Sequence, residues 1–447
     1  MLLPNVDTIA AIATAQGRGG VGVVRISGRN VQTIAKGILG RLPKARYATY
    51  INFLDEKGDT LDQGIALFFP TPHSYTGEDV LELQGHGGSA VLHMLLQCCI
   101  NLGARLAQPG EFTRRAFLNG KMDLAQAESV ADLIDANSIE AARSALRSLR
   151  GEFSSAIREL VDSLIHLRML VEAMLDFPEE DVDSVDLQRR DALLKNICQR
   201  LQYTLNMAKQ GSLLREGAHI VIAGRPNVGK SSLLNQLSGE DVALVSDIPG
   251  TTRDVIRQII NIRGVPLHIM DTAGLRESQD VVENMGIART RQIFHHADLI
   301  LLLLDASQGL TKQDKAIFSE LPIDVPYLLV FNKVDLVKDK FVGETDNRRF
   351  VCVSARTGEG LEELRVALLE MVGWRDYETG SFMARERHLR ALMLAQTHLN
   401  QACIVLVNAE FFAEELRLAQ SALNEITGEF TADDLLGEIF GKFCIGK

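Results

Sequence analysis

The sequence predicts a multidomain α/β protein: an N-terminal α+β domain, then a bundle of helices with a doubly wound sheet domain inserted into it. Three observations carry this. Between residues 216 and 373, short apolar runs alternate with helical patterns. On either side, over 120–215 and 374–447, the apolar period is helical. Over residues 1–119, brief β-rich runs sit among turn signals. A chain of 447 residues has room for several such domains, each with its own core.

In the first segment, Val21-Gly-Val-Val-Arg-Ile26 and Asp79-Val-Leu-Glu-Leu83 read as strands. Gly17-Arg-Gly-Gly-Val-Gly22 matches G-x-G-x-x-G. A dinucleotide site is rejected there, because a strand follows the glycines where a helix should and no acidic residue lies about 20 positions on. From Lys121 to about Leu214 the pattern is helical. Leu124, Ala127, Val130 and Leu133 mark one face, and Phe153, Ile157, Leu160, Leu164 and Leu167 another. Phe177-Pro-Glu-Glu-Asp181 breaks the helix. Beyond residue 380 the period returns with Leu389, Leu392 and Leu399, then Phe412, Leu416 and Leu423. The economical reading joins the two helical blocks, 120–215 and 374–447, into one discontinuous domain. The α/β segment 216–373 is then an insertion, which close termini permit.

That segment carries four ordered motifs. Gly224-Arg-Pro-Asn-Val-Gly-Lys-Ser231 follows the apolar run Ile220–Ala223 and precedes a helical pattern at Leu233, Leu234 and Leu237. A strand, a glycine-rich turn and a helix N-terminus meet there, so backbone N–H groups of Asn227, Val228, Gly229 and the following turn face an anion. Lys230 can reach the β- and γ-phosphates, and the hydroxyl of Ser231, beside Ser232, can ligate Mg²⁺. Asp271-Thr272-Ala273-Gly274 ends a second apolar run, bringing a carboxylate near the metal and Gly274 near the γ-phosphate. Asn332-Lys333-Val-Asp335 ends a third, where the carboxylate of Asp335 can accept both N–H donors of a guanine. Ser354-Ala355-Arg356 follows. One such match is weak, but four in order within a doubly wound length point to a Ras-like P-loop GTPase domain.

One part is missing. Where many small GTPases place a glutamine after the Asp-x-x-Gly motif, this chain has Leu275, which has no polar atom. Glu283 stands nine residues beyond Gly274 and can either help place water or be a solvated helix-start carboxylate. The Asn227 carbonyl can ligate a monovalent cation beside the β/γ bridging oxygen, or Asn227 can simply serve an unusual turn angle. The first-switch position is held by Val245-Ser246-Asp247-Ile248-Pro249-Gly250-Thr251-Thr252-Arg253. Either threonine can close on Mg²⁺ there, and Gly250 allows the loop to reorganise.

Composition bounds the rest. No run of about 18 apolar residues is present, so no transmembrane helix is expected, and no membrane is counted among the partners. Residues 1–7 lack the basic and apolar regions of a signal peptide. The six cysteines form no C-x-x-C pair, which argues against a zinc site or disulfide framework and for a cytoplasmic location. Cys444 resembles a prenylation box only by position, since Lys447 is a poor final residue. The net charge of −11 argues against a chain that holds nucleic acid by overall charge. It is unevenly spread: 11 basic and 9 acidic residues in 1–119 leave 36 and 49 for the remainder, or +2 against −13. The first segment therefore suits an anionic small ligand better.

The whole chain resembles the bacterial and organellar tRNA modification GTPases called MnmE or TrmE. The resemblance rests on the four motifs above and on others along the chain. These are Gly17–Gly22 with Arg25-Ile-Ser-Gly28, Thr76-Gly-Glu-Asp79, Leu81–Gly88 and Pro109-Gly-Glu-Phe-Thr113. Ala116–Leu124, Gly211–Gly217 and the terminal Phe443-Cys-Ile-Gly-Lys447 complete the set. It implies an N-terminal domain, 1–119, that binds 5-formyl- or 5,10-methylene-tetrahydrofolate and forms a homodimer. Arg25, Glu82, Lys121 and Lys447 match the folate positions. It implies K⁺ held by Asn227, Ser246, Ile248 and Thr251, Mg²⁺ on Ser231 and Thr252, and Glu283 orienting water indirectly. Ser246 stands where a threonine is expected and Pro249 where a smaller residue is common. It also implies a flavin-dependent partner, MnmG or GidA, in a heterotetramer or larger complex. Together they would install an aminomethyl or carboxymethylaminomethyl group on C5 of the wobble uridine of certain tRNAs, with folate as one-carbon donor and the partner holding most of the tRNA.

The competing class is a regulatory GTPase of ribosome assembly, an RNA-linked binding switch. Its usual basic RNA-binding appendage is not evident in the acidic helical flanks. A folate-dependent methyltransferase with a vestigial nucleotide site fails because every nucleotide motif is intact.

Overall fold

The computed structural model describes residues 7–15, 17–176, 184–238, 257–271, 294–337, 349–375, 381–428, 439–441, 443–444 and 446. The chain divides into two compact units, residues 1–131 with 421–447, and residues 132–420.

In the first unit the strands are β1 (Ile9–Ile12), β2 (Gly19–Ser27), β3 (Thr49–Leu54), β4 (Thr60–Phe69), β5 (Val80–Gly87) and β6 (Arg105–Leu106). They form a sheet in the order β3-β4-β5-β2-β1-β6, antiparallel except between β1 and β6. Two helices, α1 (Val31–Leu39) and α2 (Ser89–Asn101), bury Ile34, Ile38, Leu92 and Leu95 against one face, onto Val24, Ile26, Leu81 and Leu83. Strand periodicity sends the intervening residues to the other face. There Ile9 and Ala11 meet Phe112 of α3 (Glu111–Leu118). Arg25 and Glu82, each between two core residues, are directly paired across β2 and β5 on that second face. Leu124 and Ala127 of α4 (Leu124–Ile134) pack with Ile439, Phe440 and Phe443. The carboxyl end of the chain therefore belongs to the same core as the start of the helical stretch.

In the second unit α5 (Ile139–Leu149) is capped by Ser138, whose hydroxyl accepts from Ala141 N. The long helices α6 (Glu152–Asp176) and α7 (Ser184–Glu216) follow. Phe153, Ile157, Leu160, Leu164 and Leu167 are all buried, as a 3.6-residue period requires. The break expected at 177–181 lies outside the described residues. Gly211 in α7 is required by packing, because a Cβ there would lie 1.5 Å from the carbonyl oxygen of Phe382.

The inserted sheet has strands β7 (Ala218–Ala223), β8 (Arg257–Ile262), β9 (Val265–Asp271), β10 (Leu299–Asp305), β11 (Tyr327–Asn332) and β12 (Phe350–Cys352). Their order is β12-β11-β10-β7-β9-β8, parallel except at β8–β9. Every residue of β10 is buried, which explains its unbroken leucine-rich run: a strand covered on both faces has no polar side. One face packs on Leu233 and Leu237 of α8 (Lys230–Ser238), on Leu364 and Leu368 of a helix at Leu361–Met371, and on Ala141, Ala145 and Leu214. The sheet thus shares a core with α5 and α7. The other face packs on Phe294 and on Ile317 of α9 (Lys312–Glu320). After the insertion, helices Glu386–Ile404 and Ala409–Thr427 bury Leu392, Leu399, Phe412, Leu416 and Leu423, while Leu389 is half-buried.

Candidate functional site

The loop 224–229 leaves the carboxyl end of β7, which lies between the parallel strands β10 and β9. The chain passes to opposite sides of β7 for these two neighbours, so the loop opens at a topological switch point, where open α/β sheets place ligands. Two glycines bring backbone closer to neighbouring groups than a side chain would allow. Gly224 has φ 150°, and a Cβ on it would lie 2.5 Å from Leu303 O. Gly229 has φ 97°, and its Cβ would lie 2.3 Å from Asn332 Nδ2. Asn227 is exposed with φ 65°, a left-handed angle that asparagine tolerates. The buried ammonium of Lys230 donates to Gly224 O at 2.8 Å and Arg225 O at 3.1 Å, closing the loop on itself. Ser231 and Ser232 are exposed in the first turn of α8. This glycine cradle and helix N-terminus fit a phosphate chain, with the Ser231 hydroxyl available to a Mg²⁺ ion.

Asn332 joins this loop to the loops that follow β11 and β12, where the sequence predicts guanine recognition. Its Nδ2 donates to Val228 O at 2.8 Å, and its Oδ1 accepts from Ala355 N at 2.9 Å, both bonds buried. Asp335 is exposed in a 3₁₀ turn, and its Oδ1 accepts from Ser354 Oγ at 2.7 Å. That bond fixes the carboxylate that would read the base. Arg356 is exposed beside it in sequence. Lys333 adopts φ 68°, and its ammonium lies 2.7 Å from Asp305 Oδ2 at the end of β10. Asp305 Oδ1 also accepts from the Ser307 N–H and hydroxyl.

Burial alone would raise the Asp305 carboxyl pKa, but the Lys333 ammonium and the Ser307 donors outweigh it and hold the group below the ordinary carboxylate range. A depressed folded pKa contributes stability that is present above the unfolded value and lost as pH falls through the folded one. The stability difference between the natural chain and Asp305→Asn should therefore be constant above about pH 5 and shrink as pH drops below about 4. Urea unfolding across that range checks it. A difference that stays constant down to pH 2 would remove the ionised Asp305–Lys333 pair from the account.

Asp271 ends β9 directly opposite Ile222, two residues before Gly224. Thr272, Ala273, Gly274, Leu275 and Glu283 lie outside the described residues, as do Ser246, Asp247, Ile248, Pro249, Gly250, Thr251 and Thr252. Of the residues expected to hold K⁺ only Asn227 is described, and of those expected to hold Mg²⁺ only Ser231.

In the first unit, Arg25 Nη2 and Glu82 Oε1 are 2.8 Å apart, half-buried on the sheet face opposite α1 and α2. The Arg25 guanidinium lies 5.4 Å from the Tyr75 ring centre and 5.7 Å from that of Phe112. Burial pushes the Tyr75 phenol pKa up, against the opposing effects of its hydrogen bond with Thr113 and the charge of Arg25, so it stays neutral. Lys121 is exposed, and its ammonium donates to Pro72 O at 3.1 Å. Its chain runs beside Gly77, in the loop that carries Tyr75. Gly446 abuts Ile12 on β1, next to β2; Lys447 itself lies outside the described residues. A guanidinium–carboxylate pair flanked by two aromatic rings fits a planar heterocycle with N–H donors and a carboxylate tail.

Sequence reasoning singled out neither Asp305 nor the pair of rings, Tyr75 and Phe112, beside Arg25. A strand-end carboxylate, Asp305, was a signal of the same kind as Asp271.

The family model for the "MnmE helical domain" matches residues 124–444, and that for the "GTP-binding protein TrmE N-terminus" matches residues 8–121. A protein of Nitrosospira multiformis called "tRNA modification GTPase MnmE" is 57% identical over 448 residues, covering 99% of each chain. The protein of that name from Nitrosomonas europaea is 57% identical over 447 residues, again covering 99% of each. A crystal structure of Era from Aquifex aeolicus bound to GDP and AlF4⁻ is 28% identical, with a TM-score of 0.30, over 40% of this chain and 66% of that one.

Proposed function

The chain belongs to the MnmE family of tRNA modification GTPases, and from that premise we infer that its hydrolysis of GTP is K⁺-dependent and serves a specific reaction at the wobble uridine. With a flavin-dependent partner of the MnmG or GidA kind, it adds a 5-aminomethyl or 5-carboxymethylaminomethyl group to that base in certain tRNAs. The observation that carries the nucleotide part is the double hydrogen bond of Asn332, which assembles phosphate loop and guanine loop into one site.

The backbone of 224–231 and Lys230 cradle the phosphates, and Asp335 selects guanine over adenine. Asn227, with Ser246, Ile248 and Thr251, holds K⁺; Ser231 and Thr252 hold Mg²⁺; Glu283 places the attacking water. The two cations supply positive charge that offsets the charge developing on the transferring phosphoryl group. Arg25, Glu82, Lys121 and Lys447 bind the tetrahydrofolate, whose chemistry is one-carbon donation. The working form is a cytoplasmic homodimer that meets its partner in a heterotetramer or larger complex. Among the described residues no helix is long and apolar enough to cross a membrane.

The nucleoside composition of tRNA from cells lacking this chain tests the reading. The 5-substituted wobble uridines should disappear and return with the natural chain, but not with Asp335→Asn. Unchanged wobble nucleosides alongside altered ribosome profiles would replace this reading with the ribosome-assembly switch.

A further inference from the structure

Arg225 is the second residue of the phosphate loop, and its side chain leaves the loop. Nε donates to Asp314 Oδ1 at 2.8 Å, and Nη1 and Nη2 donate to Gln308 Oε1 at 3.3 and 3.2 Å. Asp314 is fully buried, with its Oδ2 accepting from the N–H and hydroxyl of Thr311 at 3.0 and 2.7 Å. One oxygen therefore caps α9 and the other holds the loop. A buried carboxylate needs a compensating cation, and the guanidinium fork spans both Asp314 and Gln308, which a single ammonium cannot do in the same geometry.

The backbone of Arg225 faces the other way. Its carbonyl oxygen is one of the two that accept from the Lys230 ammonium. Pro226 follows, with its restricted φ, and leads directly to the exposed Asn227. The position of Arg225 is thus transmitted over a short, stiff path to the loop's lysine and asparagine. The same stretch, 305–314, also supports the guanine loop through Asp305–Lys333 at 2.7 Å and Ala306 N to Asn332 O at 2.8 Å.

We propose that Arg225 is a positioning residue for GTP hydrolysis: anchored on Asp314 and Gln308, it fixes the limb of the phosphate loop that orients Lys230 and Asn227. The inference rests on the GTPase activity alone and not on the K⁺ reading. Hydrolysis depends steeply on where charges sit relative to the transferring group, and a displacement of about 1 Å can cost about a hundredfold in rate. GDP binding is less sensitive, since the loop's amides, Asn332 and Asp335 remain. The signature of positioning is therefore a split between rate and affinity.

Single-turnover GTP hydrolysis and calorimetric GDP affinity of the full chain test this for Arg225→Ala, Arg225→Lys and Gln308→Leu. Arg225→Ala should hydrolyse about tenfold or more slowly, with GDP affinity within about threefold of the natural chain. Arg225→Lys should recover part of the rate, because charge returns without the fork. Gln308→Leu, which removes one prong at an exposed position, should slow hydrolysis by a smaller factor. A folded Arg225→Ala within about twofold of the natural rate overturns the proposal, as does a parallel loss of GDP affinity. Should Arg225→Ala fail to fold, natural rates in both Arg225→Lys and Gln308→Leu overturn it. Each rate is compared with the natural chain in the same salt, so a missing K⁺ response leaves the comparison intact.

Discussion

Replacing Asn332 with alanine should reduce guanine nucleotide affinity by about a hundredfold or more. The side chain satisfies two buried backbone groups on different loops, Val228 O and Ala355 N. A buried polar group left without a partner costs about 1–3 kcal/mol, and each 1.4 kcal/mol is about tenfold in affinity. Both losses fall on loops that must be in register for a single ligand to touch phosphate and base together. Gly229 adds to this: it lies so close to Asn332 Nδ2 that the two loops are packed as well as bonded. Asn332→Asp separates the contributions. It keeps an acceptor for Ala355 N but sets an oxygen against Val228 O, so it should bind no better than the alanine variant. Calorimetry with GDP reads both. Affinity within about threefold of the natural chain in Asn332→Ala would show that the loops hold their places without the staple.

The inserted sheet was legible because its strands are extreme. β10 is seven residues long and buried throughout, and only a strand with both faces covered tolerates such a run. The face of α6 was legible for the opposite reason: Phe153 to Leu167 repeat at helical spacing among polar residues. The C-terminal packing was not. Phe440 and Phe443 join Leu124 and Ala127 across more than 300 residues of chain, and apolar periodicity says that a face is buried without saying against what. The Arg225–Asp314 pair escaped for the same reason, being 89 residues apart. At Arg25 and Glu82 the sequence offered only a match to the family's folate positions. The structure supplies the pair at 2.8 Å together with the two aromatic rings beside it.

GTP hydrolysis should be fast in KCl and much slower in NaCl, and Asn227→Ala should abolish that difference while leaving GTP binding largely intact. Leu275 cannot polarise water, so stabilising charge must come from elsewhere. The arginine built into the phosphate loop does not supply it, since Arg225 is engaged with Asp314 and Gln308. Asn227 has the required position: it is exposed on the phosphate loop and held at φ 65°, one residue before the Val228 carbonyl that Asn332 anchors. Removing its side chain spares the Lys230 contacts and the backbone cradle, so affinity for GTP should change little. Na⁺ has the same charge but a smaller radius, and a cage of the size that suits K⁺ brings its oxygens too far from Na⁺ to replace its hydration shell. K⁺ should also draw two GTPase domains together in the presence of a transition-state mimic. Glu283→Ala should then slow turnover without affecting that association, because its proposed task is to place water. Steady-state rates in the two salts, with light scattering for association, read all of these. Equal rates in KCl and NaCl would sink the cation mechanism and return the search to an arginine supplied from another part of the chain or from a partner.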